Sequence, residues 1–216
     1  PEMNPQDLAF LKKLVETPSP SGYEQPAQRV IRAELEGIAD EWRTDVMGNL
    51  IAHLEGKGGP RLMLAGHCDE IGFLVQYVDD NGFIYFGAIG GVDPHLCPGQ
   101  RVTIHSASAA VPGVIGKKAI HLIEPADREK VIKLKDQYID IGCSSRDEVL
   151  KLVRIGDPVT FAVGMEKLQG DRATSRAFDD KMGAFIVAEV LKRVKQQGGA
   201  KAELFAVSTV QEEVGL

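Results

Sequence analysis

Apolar residues recur at helical spacing in two short segments near the start of the chain. Asn4 followed by Pro5 is typical of a helix cap with proline at the first helical position, and the apolar positions of 8–15 then repeat every three or four residues. Residues 27–35 share this spacing, and Gly37 is a suitable stop. The pattern therefore predicts two amphipathic helices before the first strands.

Strand-like segments follow these helices and return at the end of the chain. Residues 41–45 and 49–54 flank a turn and predict a hairpin, and residues 61–65 predict a buried strand. After a helix predicted from about 180 to 197, the apolar, β-branched run 204–210 is typical of a central strand in a parallel sheet. These segments together predict a mixed α/β core.

The stretch between 71 and 163 has a different character. Its apolar residues alternate in short segments that glycines, prolines and Asp79-Asp80-Asn81-Gly82 interrupt. Such spacing predicts a small β-barrel or sandwich inserted into the α/β core. The expected organisation is thus a core formed by residues 1–70 and 164–216, with a β-rich domain at 71–163 between its two parts.

Composition and charge exclude several classes of function. A net charge of -6 with both signs mixed disfavours a nucleic-acid surface, which needs clustered Lys and Arg. No run of about eighteen apolar residues is present, and the first residues are polar, so a soluble cytoplasmic protein is expected. Cys68, Cys97 and Cys143 include no CxxC pair and indicate buried thiols rather than disulfides or a zinc knuckle.

Two candidate motifs follow predicted strands, where sites in α/β sheets collect. In His67-Cys68-Asp69 the imidazole could bind a metal while Asp69 orients it, although an isolated triplet of this kind is more often an imidazole that is simply hydrogen-bonded to an acid. In Glu212-Glu213 one carboxylate could bind a metal while the other accepts a proton from water. A solvated pair of acids is the alternative.

A third candidate motif lies at the start of the last predicted helix. Asp179 could bridge two metal ions through its two carboxylate oxygens. Asp180 could belong to the same site, but an acid at this position also complements the helix dipole and could simply cap the helix.

The order of these motifs and the residues in them resemble those of one protein family. The similar segments are Thr17-Pro18-Ser19-Pro20-Ser21-Gly22-Tyr23-Glu24, Gly66-His67-Cys68-Asp69-Glu70-Ile71-Gly72, Ala177-Phe178-Asp179-Asp180-Lys181 and Gln211-Glu212-Glu213-Val214-Gly215. They resemble the hallmark segments of the metallo-aminopeptidases that include the tetrahedral (TET) enzymes and related glutamyl aminopeptidases. The resemblance implies a mixed-sheet, zinc-peptidase-like α/β core with an inserted β-barrel domain.

The resemblance also implies a role for each candidate residue. His67 would bind one metal ion, Asp179 would bridge both ions, and Glu213 would bind the other. Glu212 would be the general base, and Asp69 would orient His67. The oxygen and imidazole ligands suit two divalent ions, Zn or Co. The family's site needs a further aspartate and histidine, which lie further along the chain than this sequence reaches.

Peptide substrates and a homo-oligomer, a dimer or a larger assembly built through the β-rich domain, are implied by the same resemblance. Two other functions stay open. One is an inactive assembly or binding fragment, because each metal ion would lack ligands. The other is an endoglucanase, since relatives have been assigned that activity and paired carboxylates can cleave glycosides.

Overall fold

Two helices open the fold, as the spacing of apolar residues predicts. In the computed structural model, which describes residues 3–215, α1 spans Pro5–Glu16 and α2 spans Gln25–Glu34. The Asn4 side chain accepts a hydrogen bond from the Asp7 N–H at 2.8 Å and thereby caps α1. Helix α2 ends at Glu34, before the stop predicted at Gly37.

A mixed four-stranded sheet follows the helices. Its strands, in spatial order, are β1 (Glu41–Thr44), β2 (Leu50–Leu54), β12 (Glu203–Thr209) and β3 (Arg61–His67). Strand β12 is central, as predicted, but it is parallel only to β3 and antiparallel to β2. The sheet is therefore mixed, and the carboxyl ends of β3 and β12 lie at the same edge.

Residues 61–65 do form a strand, but the prediction that this strand is buried is wrong. Residues 61–63 and Ala65 are exposed, with Leu62 47% and Met63 71% accessible. The physical reason is position, because β3 is the last strand of the sheet in the described part of the chain, residues 3–215. Only Gly66 and His67, at the carboxyl end of the strand, are buried.

One apolar core joins the helices to this sheet. The last long helix, α4, spans Phe178–Gln196, close to the predicted 180–197. Its buried residues pack with those of α1, α2, β2 and β12 in a single cluster that includes Leu14, Ile31, Ala52, Leu191 and Ala206. A short hairpin, β10 (Glu166–Lys167) with β11 (Ala173–Thr174), precedes α4.

The middle of the chain forms a closed six-stranded barrel, which confirms the barrel alternative of the prediction. The strand order is β4-β5-β8-β7-β6-β9, and β9 pairs with β4 to close the barrel. The barrel has its own core, which includes Phe73, Ile84, Ile104, Ile115 and Ile139. Its strands are β4 (Gly72–Val78), β5 (Ile84–Ile89), β6 (Arg101–His105), β7 (Ala110–Lys117), β8 (Gln137–Asp140) and β9 (Pro158–Phe161).

Short helical segments complete the description. Helix α3 spans Arg146–Leu150, and 3-10 turns cover Ile120–Leu122, Pro125–Asp127, Leu134–Asp136 and Glu212–Val214. The chain divides into two compact units, one ending at Glu70 and resuming at Gly164, the other spanning Ile71–Val163. Over residues 3–215, no helix has the length and apolar character needed to cross a membrane.

Candidate functional site

The carboxyl ends of two parallel strands carry most of the candidate residues. Strand β3 ends at His67, which is in register with Thr209, the last residue of β12. Asp69 lies two residues after the end of β3, and Glu212 and Glu213 begin a 3-10 turn after β12. Parallel pairing therefore brings residues from distant parts of the sequence to one edge of the sheet.

The imidazole of His67 is 9% exposed and has acids on both sides. Its Nδ1 lies 3.2 Å from the Asp69 carbonyl oxygen and 3.4 Å from the Asp69 carboxylate. Its Nε2 lies 3.3 Å from Asp179 Oδ1 and 3.7 Å from Glu212 Oε2. One ring nitrogen thus contacts the buried Asp69, while the other faces the exposed carboxylates of Asp179 and Glu212.

Asp69 is fully buried and serves as an acceptor for the loops around it. Its carboxylate accepts the backbone N–H of Glu212 at 3.2 Å and of Glu213 at 3.1 Å. It also accepts the Ser21 hydroxyl at 2.6 Å. The same carboxylate therefore fixes the turn that carries the two glutamates and contacts the ring of His67.

The two aspartates at the start of α4 make different contacts. Asp179 and Asp180 have non-helical backbone angles, and Ala177 before them is left-handed with φ 62°. The Asp180 carboxylate accepts the Gly183 N–H at 2.9 Å, as a helix-capping side chain does. Asp179 instead approaches His67, so the structure gives Asp180 the capping geometry and Asp179 the contact with the imidazole.

Crowding of acids and burial raise pKa values around this edge. Burial raises the pKa of Glu213 above its usual value, and the nearby Asp179, Asp69 and Glu212 raise it further, while His67 opposes them. Burial likewise raises the pKa of Glu24, which accepts N–H groups from Gly22 and Gln211. A site with this many carboxylates favours a positively charged ligand.

The residues present fit part of a metal site. Two ligands on one tetrahedral Zn²⁺, each about 2.0–2.2 Å from the ion, are separated by roughly 3.3–3.6 Å. The 3.3 Å between His67 Nε2 and Asp179 Oδ1 matches this separation. Within residues 3–215, however, no group of three or more His, Cys, Asp or Glu side chains is arranged to hold a metal ion. The pair has suitable spacing and chemistry, and a complete ligand set is not assembled in this part of the chain.

Sequence reasoning assigned no role to a buried ion network beside the site. Glu70 is 2% exposed and Lys181 is 0% exposed, with 3.0 Å between Lys181 Nζ and Glu70 Oε1. Arg176 contacts the other Glu70 oxygen at 3.3 Å. The periodicity of α4 indicates that Lys181 is buried, because Lys181 precedes the buried Ala184 and Phe185 by one helical turn and so lies on the apolar face.

Comparison with known proteins identifies the family. The profile of the M42 glutamyl aminopeptidase family matches residues 48–216. A curated protein of Acetivibrio thermocellus is 42% identical over 207 residues, which are 96% of this chain and 59% of that protein. The present chain thus spans about three fifths of that relative.

Solved structures give the same result. The TET aminopeptidase of a marine sediment archaeon, a thaumarchaeote, is 34% identical with a TM-score of 0.93, over 97% of this chain and 60% of that one. The TET1 peptidase of Pyrococcus horikoshii, described as assembling into a tetrahedron or a large octahedral shell, is 34% identical with a TM-score of 0.88, over 97% of this chain and 62% of that one. The chain belongs to the M42 glutamyl aminopeptidase family.

Proposed function

We propose that this protein is a metal-dependent aminopeptidase that releases N-terminal amino acids from peptides by hydrolysis. The observation that carries the proposal is the position of His67, with Asp69 on one ring nitrogen and Asp179 and Glu212 on the other. Family membership and the similarity to a solved TET aminopeptidase support the same activity.

The proposed site holds two divalent ions, Zn²⁺ or Co²⁺. His67, Asp179 and Glu213 would hold them, and the bound ions supply the positive charge that polarises the scissile carbonyl. Because a three-ligand group is absent from the described residues, 3–215, the proposal includes two further ligands, an aspartate and a histidine, that these residues do not provide. Binding by the present residues alone is expected to be weak.

The chain's own residues have distinct tasks in this reaction. Asp69 fixes the ring orientation of His67 by contacting Nδ1, which leaves Nε2 directed toward the site. The Glu212 side chain is 56% exposed and lies near Nε2, so it can reach both solvent and substrate. Glu212 accepts a proton from the attacking water and returns it to the leaving amine.

Substitution of the proposed base tests the reaction. Glu212→Gln keeps the size of the side chain but removes its ability to accept a proton, so hydrolysis of a leucyl anilide with added Co²⁺ or Zn²⁺ should fall by about 10²–10⁴-fold. Glu166→Gln, at an exposed position on β10, is the matched control and should retain full activity. Measurable hydrolysis by the original protein that is unchanged in Glu212→Gln would remove Glu212 from the mechanism.

The second candidate function is an inactive assembly or binding fragment of such an enzyme. The lack of a three-ligand group among residues 3–215 is the observation that favours it. Elemental analysis of the purified chain distinguishes the two, because about two ions per chain would show a working ligand set that needs no further aspartate or histidine, and no bound ion would favour the fragment. Cellulose derivatives are tested in parallel. We expect no hydrolysis of them, and hydrolysis would support the endoglucanase alternative.

Self-association and a reducing compartment belong to the same proposal. The assembly described for the Pyrococcus horikoshii peptidase supports a homo-oligomer here, a dimer or larger. Light scattering on the sample used for the activity assay tests this, and a monomer would contradict it. All three cysteines are free thiols, which supports the cytoplasm as the expected location.

A further inference from the structure

Three segments of the proposed site meet at one buried carboxylate. Glu70 lies just beyond His67 and Asp69, and its Oε1 accepts the Ser19 N–H at 2.9 Å. The Glu70 backbone N–H also donates to the Ser19 carbonyl at 3.1 Å. The loop between α1 and α2 is thereby joined to the end of β3.

The start of α4 is joined to the same carboxylate by two cationic side chains. Lys181 Nζ donates to Glu70 Oε1 at 3.0 Å and to the Thr17 carbonyl at 2.6 Å. Arg176 donates to Glu70 Oε2 at 3.3 Å and to the carbonyls of Val15 and Glu16. These two residues lie on either side of Asp179 in the sequence.

We infer that Glu70, Lys181 and Arg176 are positioning residues that hold Asp179 against His67. The relevance of this network to catalysis rests on the proposed function, but the hydrogen bonds and ion pairs of the network do not. Glu70 lies three residues after His67, and Arg176 and Lys181 both donate to the Glu70 carboxylate from positions on either side of Asp179. Loss of Lys181 would leave Glu70 buried with one cation fewer, so the end of β3 and the start of α4 should separate more readily.

An equivalent ion cluster elsewhere on α4 provides the control. Lys192 Nζ contacts Glu189 at 2.6 Å and Glu34 at 2.5 Å, and it lies 3.8 Å from Asp7. This cluster joins α4 to α1 and α2 but includes none of the proposed site residues. A substitution there disturbs a comparable set of ion pairs on the same helix without touching the site.

The test compares Lys181→Met with Lys192→Met by amide hydrogen exchange of the purified chain. Lys181→Met should speed exchange roughly tenfold or more in peptides that cover 67–70, 177–181 and 211–213, whereas Lys192→Met should leave those peptides unchanged. The imidazole resonances of His67, assigned with His67→Gln, should shift in Lys181→Met only. Unchanged exchange and resonances in Lys181→Met, or the same pattern in both variants, would overturn the inference.

A milder variant keeps the test decisive if Lys181→Met does not fold. Glu70→Gln retains an acceptor oxygen for Lys181 and for the Ser19 N–H but removes the charge, and it should affect the same three peptides to a smaller degree. No change in those peptides would equally overturn the inference. Neither readout needs metal or turnover, so a failure of leucyl anilide hydrolysis would count against the proposed function and not against the positioning role.

Discussion

Cys68 lies between two proposed site residues, and its surroundings make it chemically inert. The side chain is fully buried, and burial raises the pKa of its thiol to about 12. Alternation along the extended chain places it on the side opposite to His67 and Asp69, in the apolar core shared with Leu14 and Ala184. Cys68 is therefore a packing residue rather than a nucleophile or a ligand.

Thiol reactivity should rank the three cysteines by burial. Burial also raises the pKa of Cys97, to about 11, whereas Cys143 is only half-buried. Because a raised pKa leaves little thiolate at mildly alkaline pH, iodoacetamide should label Cys143 first and leave Cys68 and Cys97 nearly unlabelled until pH approaches their pKa values. Peptide mass spectrometry gives the labelled fractions, with a guanidinium-unfolded sample as control. Rapid labelling of Cys68 in the folded protein would contradict this ranking.

Individual site residues, and the neighbouring pair His67 and Asp69, could be proposed from sequence, but partners that are distant in sequence could not. His67, Asp69, Asp179, Glu212 and Glu213 stand in short motifs with recognisable chemistry, and their assigned roles remain predictions. The network around Glu70 depends on contacts between residues that are more than one hundred positions apart, such as Glu70 with Lys181. The periodicity of α4 can place Lys181 on the buried face of the helix, but it carries no information on which residue pairs with it, because the tertiary fold decides what lies beside a buried lysine.

Strand β3 and helix α4 approach each other closely through their backbones in the part of the fold that carries the site. A Cβ atom added to Gly66 would lie 2.4 Å from the Gly183 carbonyl carbon and 2.5 Å from the Ala184 nitrogen. Glycine is required here by backbone proximity, since neither neighbour is a flexible side chain that could move away. His67 and Asp179 are held near one another by elements whose backbones touch.

Gly66→Ala should therefore separate β3 from α4. We expect a loss of about 1–3 kcal/mol in the free energy of unfolding, the usual range for overpacking. Urea denaturation followed by circular dichroism provides the measurement. Gly91→Ala is the matched control, because a Cβ there meets nothing within 4 Å, and its unfolding midpoint should stay unchanged. A neutral effect of Gly66→Ala would mean that the two elements can shift apart without cost.

At the scale of elements, the sequence predicted which segments are helices and strands better than how they are arranged. Capping and periodicity located α1 and α4, because these signals are local. The exposure of β3 was missed, since it depends on strand order, and strand order depends on pairing between β3 and β12 across a long separation in sequence. An apolar run such as 61–65 has the same pattern at the edge of a sheet as at its centre.

At the scale of the whole molecule, each of the two units has its own core. Leu14, Ile31 and Leu191 belong to one cluster, and Phe73 and Ile139 belong to another. The unit that carries the site is made from two separate stretches of chain, whereas the barrel is made from one. The sequence could predict a β-barrel or sandwich from its short alternating segments, but closure through β4 and β9 is a property of the completed pairing.

Closure of the barrel has a consequence for the order of folding. Because β4 and β9 are paired, the chain leaves the barrel beside the point where it enters, so a folded barrel acts as a short connection between β3 and the residues after Gly164. The entropic cost of closing a loop rises by about 0.6 kcal/mol for each doubling of the loop length. We expect the barrel to fold first and to accelerate the pairing of β12 with β2 and β3.

Trp42, the only tryptophan in the chain, lies on β1 and reports on the later step. Ile139→Ala, in the barrel core, should slow the refolding change in Trp42 fluorescence several-fold under conditions in which the variant barrel is largely unfolded. The exposed Ile155→Ala is the control. An unchanged rate would mean that the two stretches of the α/β unit find each other without help from the barrel between them.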